Sequence, residues 1–410
     1  MTRVEEYSSK PMRVCMVVLQ DYYSDPRVRR YAEALAEAGA EVDVLCAKCS
    51  VPRPTGYSPK IQVHAIPIAH GSSSILSYIW EYSACFLLFM LRMIPLHLKR
   101  NFHVIHSHNM PDFLIFSAWL PRLLGARWIL DVHDPMPEFF VSKYSKSKSG
   151  VFHWLLKIQE RLSAKLAHRV LTANQNFQNN LVNRGTPAAK ITVINNIADT
   201  KIFDRVQHPR QRGTENRFVL LYAGTIAPRY GLEMPIRAMV KLKERVPNIL
   251  LRIVGPHTPH RDELATLVTQ LKLETWVEIL PAVPITEVPA LMSHADLGIY
   301  TATSDPHMAI ATPTKVLEYA QMGLPVVAAQ LPIVEQIFGK DGVTYVDSNS
   351  VDDFVSKVVR LWSDPQHYEE MTRRADKAFV AANSWAKERD KYFTVLNGLE
   401  LKTKISMDRS

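Results

Sequence analysis

Short valine-, isoleucine- and leucine-rich runs recur along the first half of the chain, at residues 12–19, 41–46, 61–67, 103–107, 127–132, 168–172 and 191–194, with longer helical patterns between them. Strands buried on both faces read as nearly continuous apolar runs, so this alternation predicts a parallel sheet wrapped by helices. The first helix is marked at both ends. Ser24, Asp25 and Pro26 supply its start, Val28, Tyr31, Leu35 and Ala38 share one apolar face, and Gly39 ends it. Residues 10–205 are therefore expected to form one doubly wound domain.

Residues 207–216 are polar, contain Pro209 and Gly213, and read as a linker. A second βα series follows, with strands expected at residues 218–223, 249–254, 276–280, 296–300 and 325–328, giving a second domain over residues 206–383. The expected fold class is α/β, with two doubly wound, Rossmann-like domains. In open sheets of this kind ligands bind beyond the carboxyl ends of the strands, which directs attention to the residue after each strand.

One segment departs from the pattern. Residues 75–98 are almost wholly apolar, interrupted by Glu81, Arg92 and Pro95, and the unbroken run 82–91 is half of the roughly 20 residues a membrane-spanning helix needs. Tyr78, Trp80 and Tyr82 gather at one end, and His97, Lys99 and Arg100 follow at the other. Interfacial contact with a membrane is the favoured reading, ahead of a buried domain helix and of a true span.

Composition narrows the classes. The chain has 410 residues, 47% hydrophobic and 22% charged, which excludes a disordered chain and a small disulfide-stapled one. Its net charge of +9 favours anionic partners, but no block of five basic residues appears, so nucleic acid is not expected. Cys15, Cys46, Cys49 and Cys85 make no disulfide framework and the first eleven residues are polar, so a reducing cytoplasm is the expected location. The spacing of Cys46 and Cys49 suits zinc or redox chemistry, but no second pair follows. The fingerprints of P-loop NTPases, NAD enzymes, zincins and α/β-hydrolases are absent.

The strongest chemical signal lies at residues 313–328. Pro313 opens a helix and Gly323 closes it, so Lys315 and Glu318 share a face near the helix's positive end, where a phosphate is favoured. A lysine there meets a diphosphate while a carboxylate one turn on accepts from a ribose diol. At residues 222–231 a strand ends in Gly224, which permits close approach of a ligand, and the loop carries Arg229, able to pair with phosphate. Gly255 ends the next strand on the same edge.

At this point the chain resembles the family 4 retaining glycosyltransferases of the GT-B fold, whose two Rossmann-like domains face each other across a cleft. The resemblance rests on Asp25-Pro26-Arg27-Val28, His106-Ser107-His108-Asn109, Asp131-Val132-His133-Asp134, the stretch 190–196, Ser384-Trp385 and the residues above, and covers nearly the whole chain. It implies an enzyme that moves a sugar from a nucleotide diphosphate sugar, held by the second domain at Gly224, Thr225, Arg229, Gly255, Thr314, Lys315 and Glu318. A lipid-linked or glycan acceptor would be held by the first domain, with His108, Asn109 and Glu138 as its candidate contacts. His133 would touch the transferred sugar, and Arg229 and Lys315 would share the catalytic burden of the diphosphate's charge. The final helix, about residues 384–400, would return to the first domain. A hexosyl- or N-acetylhexosaminyl-transferase of polysaccharide or glycolipid assembly is expected, cytoplasmic or peripheral at the inner membrane face through residues 75–98, with no cofactor and no metal.

Three positions differ from the family's usual pattern. Ile310 stands where a first glutamate is common, and Thr225 and Tyr230 stand where an arginine and a lysine are usual, so Lys315 and Arg229 are expected to replace the lost charge. The rivals are a nucleotide-sugar epimerase of the same fold and, because of Ile310, an inactive partner in a glycan-assembly complex.

Overall fold

A computed structural model describes residues 11–49, 53, 57–68, 75–143, 150–211, 216–380 and 383–399, except the side chains of residues 75–79 and 143. Residue 10 of the expected first domain, residues 212–215 of the expected linker, the Tyr78 side chain and residue 400 lie outside the described residues. By its contacts the chain divides between Asn195 and Asn196, and from Glu388 onward it belongs again to the first unit. The division falls ten residues before the expected one because Ile197, Ala198 and Phe203 are buried in the second unit's core.

The first unit is a seven-stranded parallel sheet of β1 (Arg13–Val18), β2 (Glu41–Ala47), β3 (Ile61–Ile66), β4 (Val104–His108), β5 (Arg127–Val132), β6 (Arg169–Thr172) and β7 (Ile191–Val193). Their order is β3-β2-β1-β4-β5-β6-β7. Around it lie α1 (Pro26–Glu37), α2 (Ile75–Arg100), α3 (Trp119–Leu123), α4 (Met136–Lys143), α5 (Gly150–Leu166) and α6 (Gln175–Asn183). The start of α1 is chemical: the Asp25 carboxylate accepts from the amides of Arg27 and Val28, and Pro26 fills the first turn. Helix α2 lies on the sheet with Cys85, Phe89, Met93 and His97, spaced by four, on its buried face. Its other face leaves Trp80, Leu87, Leu91 and Leu98 exposed.

The second unit is a six-stranded parallel sheet of β8 (Phe218–Ala223), β9 (Ile249–Val254), β10 (Val277–Leu280), β11 (Leu297–Tyr300), β12 (Val326–Ala329) and β13 (Thr344–Val346), ordered β10-β9-β8-β11-β12-β13. Edge strand β13, with the residues Thr344, Tyr345 and Val346, carries no valine-, isoleucine- or leucine-rich run to mark it in the sequence. The helices are α7 (Glu233–Arg245), α8 (Pro259–Gln270), α9 (Val288–Ser293), α10 (Thr314–Gln321), α11 (Pro332–Phe338), α12 (Val351–Ser363) and α13 (Pro365–Ala375). Last comes α14 (Trp385–Asn397), whose Glu388 carboxylate accepts from the backbone and side-chain nitrogens of Asn195.

Helix α10 sits close to the sheet because of one glycine and one tyrosine. The Tyr319 hydroxyl accepts from the Ala223 amide and donates to the Leu221 carbonyl, each at 3.1 Å, which ties the helix to the end of β8. Beneath the ring lies Gly298, where a Cβ would stand 2.5 Å from Tyr319 Cδ2. Overpacking a filled core typically costs about 1–3 kcal/mol. Gly298→Ala is therefore expected to lower stability by that amount in denaturant unfolding and to weaken ligand binding at α10. Wild-type values for both would show that the helix is not seated by this contact.

Candidate functional site

In the second unit the strand order reverses between β8 and β11, where open α/β sheets place their ligands. Gly224 follows β8 with φ +150°, and the stem of Lys315 crosses the space that a Cβ there would occupy. A Cβ on Gly255 would collide with the Gly224 carbonyl, so both glycines are required for backbone and lysine to meet. Beside them is a cavity of about 320 Å³ whose polar wall is Gly224, Thr225, Gly255, Thr314, Lys315 and Glu318. Ala282, Val283, Ile285 and Val288 form its apolar wall. A phosphate-seeking cation and a carboxylate thus border one space, with an apolar surface for a flat ring opposite.

The Lys315 ammonium is held by aromatic faces, with Nζ 4.4 Å from the centre of the Tyr230 ring and 5.5 Å from that of Tyr222. The Arg229 guanidinium lies 5.4 Å from the same Tyr230 ring, and Arg229 does not line the cavity. Tyr230 therefore gathers two cations at the position where a lysine was the usual residue, with about 0.5–2 kcal/mol to be gained per cation. Nothing in the sequence pattern had singled out this arrangement. Ile310, in the loop before α10, donates its amide to the His307 carbonyl and brings no carboxylate to the site.

The other predicted residues belong to the first unit. His106 and His108 lie on one face of β4, and Asp131 occupies the neighbouring strand β5. The Arg27 guanidinium, from the first turn of α1, donates to both Asp131 oxygens at 2.8 and 3.0 Å and to the Ile194 carbonyl at 2.8 Å. His133 Nε2 lies 3.0 Å from Asp131 Oδ2 and 3.1 Å from His108 Nδ1. The Tyr392 hydroxyl, from α14, meets His106 Nδ1 at 3.0 Å. Burial raises the Asp131 pKa, but Arg27, His133 and the hydrogen bonds from His108 and His133 outweigh it and hold the carboxyl well below its usual range. Burial pushes His106 and His108 down, so both are neutral at pH 7. The result is one buried ion pair that fixes the ring of His133, which itself remains partly exposed.

Asn109 and Glu138 have structural partners. The Asn109 side-chain oxygen accepts from the His133 amide at 2.7 Å and its nitrogen donates to Asp112 at 2.9 Å, shaping the turn after β5. Glu138 accepts from Arg184 at 2.7 Å and from Asn180 at 3.2 Å, and Arg184 also grips Glu160. Candidate metal-ligand atoms of His106, His108 and Asp131 lie within 4.8 Å of one another. Both oxygens of that carboxylate already bind Arg27, whose charge opposes a cation.

The sequence matches the family described as Glycosyl transferases group 1 over residues 204–378 and a Glycosyl transferase 4-like domain over residues 24–196. It is 31% identical over 186 residues to the GDP-mannose-dependent alpha-(1-6)-phosphatidylinositol monomannoside mannosyltransferase of Mycolicibacterium smegmatis, a match covering 44% of this chain and 46% of that enzyme. It is 26% identical to the D-inositol 3-phosphate glycosyltransferase of Pseudarthrobacter chlorophenolicus, over 88% of this chain and 86% of the relative. Among solved structures, sucrose-phosphate synthase from Thermosynechococcus elongatus shares the fold with a TM-score of 0.74 at 17% identity, covering 94% of this chain and 98% of that one.

Two outcomes follow from the geometry. A charge-assisted phosphate contact is worth about 1.5–3 kcal/mol, or roughly 10- to 150-fold in affinity. Calorimetry on Lys315→Ala is expected to show that loss for a nucleoside diphosphate and almost none for the nucleoside. Tyr230→Leu should lose part of the same affinity while Tyr230→Phe keeps it, and equal binding by all three variants would misplace the site. For Asp131, a depressed folded pKa means a stabilisation present above the unfolded carboxylate range and lost only as pH falls through the folded value. Asp131→Asn leaves Arg27 buried without its counter-charge, so urea unfolding at neutral pH is expected to show a loss of about 3–5 kcal/mol.

Proposed function

The chain belongs to the group 1 glycosyltransferases of the GT-B fold, and from that membership we propose that it moves a sugar from a nucleoside diphosphate sugar to a lipid-linked or glycan acceptor with retention of configuration. The observation that carries this reading is the convergence of Gly224, Lys315 and Glu318 on one cavity at the end of β8. In it, Glu318 accepts from the ribose hydroxyls, Lys315 meets the diphosphate, and the apolar wall at Ala282 and Val283 receives the base. The M. smegmatis relative is named for GDP-mannose and a phosphatidylinositol mannoside, which supports a nucleotide-sugar donor and a lipid-linked acceptor. The free thiols of Cys15, Cys46, Cys49 and Cys85 are in keeping with a cytoplasmic enzyme.

In the proposed step the acceptor oxygen bonds to the anomeric carbon on the face from which the diphosphate leaves. The carbon–phosphate-oxygen bond breaks, and the acceptor's proton passes to the departing diphosphate. Protein catalysis is then positioning and charge stabilisation: Lys315, backed by Arg229 through the Tyr230 ring, for the leaving group, and His133 for the sugar. The Arg27 charge beside Asp131 supports a reaction independent of metal.

A thermal-shift panel of uridine, guanosine and adenosine diphosphates and their sugars tests the reading first, since a ligand at about 100 times its dissociation constant adds roughly 2.7 kcal/mol. One base is expected to stabilise wild type, and Glu318→Gln should weaken diphosphate and nucleoside alike. With that donor, transfer is expected to survive chelation and to yield the donor's own anomer by NMR. Isomerised free donor would mean an epimerase, absence of both transfer and donor hydrolysis an inactive partner, and loss on chelation rescued by one divalent ion a metal enzyme.

A further inference from the structure

Among the described residues, seventeen large hydrophobic side chains are exposed, and thirteen of them lie on α2, on α5 and on α3 with the residue that follows it. Such concentration is not the scatter of a soluble surface. The three helices lie close together, for the short turn at Asp112–Ala118 packs against α2 and α5 and leads directly into α3. Trp80, Leu87, Leu91 and Leu98 run along α2, and Val151, Trp154, Leu155, Leu162 and Leu166 along α5, a stripe about 25 Å long at 1.5 Å per residue. Leu88 of α2 and the group Trp119, Leu123 and Leu124 complete the set. The 75–98 stretch had been singled out in the sequence, but the wider face had not.

The fully exposed charges on these three helices have one sign. Lys157, Arg161 and Lys165, at intervals of four, line one side of the α5 stripe, and Arg92 and Lys99 are exposed on α2. No aspartate or glutamate of the three helices is among the exposed described residues, Glu160 being buried against Arg184 and Glu81 of α2 half-buried. At the carboxyl end of α5, Arg122 donates to the Leu166 carbonyl and Lys190 to the Lys165 carbonyl. Burial, with the charges of Arg122, Arg127 and Lys190 added, pushes the neighbouring His168 down to about 4.

We propose that α2, α3 and α5 together form a docking face for an anionic phospholipid bilayer, with the leucines and tryptophans in the interface and the lysines and arginines on the headgroups. A second copy of the chain fits less well, since pairing this face with itself would oppose cation to cation. Tryptophan, apolar in body and polar at one edge, suits such an interface, and three are exposed here, Trp80 by 76%. Helices α2 and α5 each lead into the start of a strand, so Trp80 and Trp154, toward their beginnings, lie toward the strand carboxyl edge that carries His133. This docking rests on the lipid-linked acceptor of the proposed function for its purpose but not for its measurement.

The test is flotation of the full chain with vesicles of phosphatidylcholine alone or mixed with phosphatidylglycerol, together with size exclusion and melting curves. Wild type is expected to float with the anionic vesicles, less at high salt and little with neutral ones. Trp154→Ser with Leu155→Ser, and separately Leu87→Ser with Leu91→Ser, should each weaken binding about tenfold or more while melting as wild type does. Lys157→Glu with Lys165→Glu should remove most of the salt-sensitive part. Failure of wild type to float overturns the proposal, as does unchanged binding by the α5 pair, which would leave α2 alone in contact. A wild-type dimer made monomeric by the α5 pair, without flotation, would assign the face to a second copy. Donor binding, read by calorimetry without vesicles, stands or falls separately.

Discussion

Everything proposed for the second unit depends on how closely α10 lies against β8. Gly298 removes the Cβ that would push Tyr319 outward, Tyr319 bonds the helix to the backbone at Leu221 and Ala223, and Gly224 leaves room for the Lys315 stem. Two small vacancies in the side-chain pattern and one tyrosine thus set the position of one ammonium group. A shift of an ångström would take Lys315 off the Tyr230 ring and move Glu318 away from the same cavity. The structure concentrates its tightest packing where ligand geometry is most exacting, as electrostatic preorganisation requires.

The first unit solves a different problem, which is to present one imidazole in a fixed orientation. Asp131 is buried and charged because Arg27 supplies a bidentate partner, and its Oδ2 takes up one side of the His133 ring. Pairs of this kind contribute little net stability when complete and cost much when broken, so their value lies in placing groups. Tyr31 and Tyr392 bring α1 and α14 onto the neighbouring histidines, which ties the end of the chain to the same cluster.

The fold was largely legible in the sequence because its strands are buried on both faces and so read as unbroken apolar runs. β5, β8 and β9 carry the expected bounds, and the Asp25-Pro26 start of α1 is a local signal that tertiary contacts do not alter. Edge strand β13 was not seen, because Thr344, Tyr345 and Val346 make no aliphatic run, and the unit boundary shifted because loop residues such as Phe203 are claimed by the second core. The cluster at Gly224, Thr314, Lys315 and Glu318 was readable because helix spacing and strand ends place those residues without knowledge of distant contacts. The Tyr230 platform, the Tyr319 tie and the Arg27–Asp131 pair were not, for each joins segments far apart in the chain, and no local periodicity encodes such a meeting. The apolar face of α5 escaped notice for a related reason: alone it looks like an ordinary amphipathic helix, and only its exposed side sets it apart.

The central claim is that a diphosphate is held where Lys315 crosses Gly224, one helical turn from Glu318. A crystal structure with the nucleoside diphosphate that binds most tightly tests it directly. Diphosphate oxygens within hydrogen-bonding distance of Lys315 Nζ, with the ribose hydroxyls on the Glu318 carboxylate, are the predicted result. A nucleotide bound elsewhere, with Lys315 and Glu318 both making no contact to it, would contradict the account.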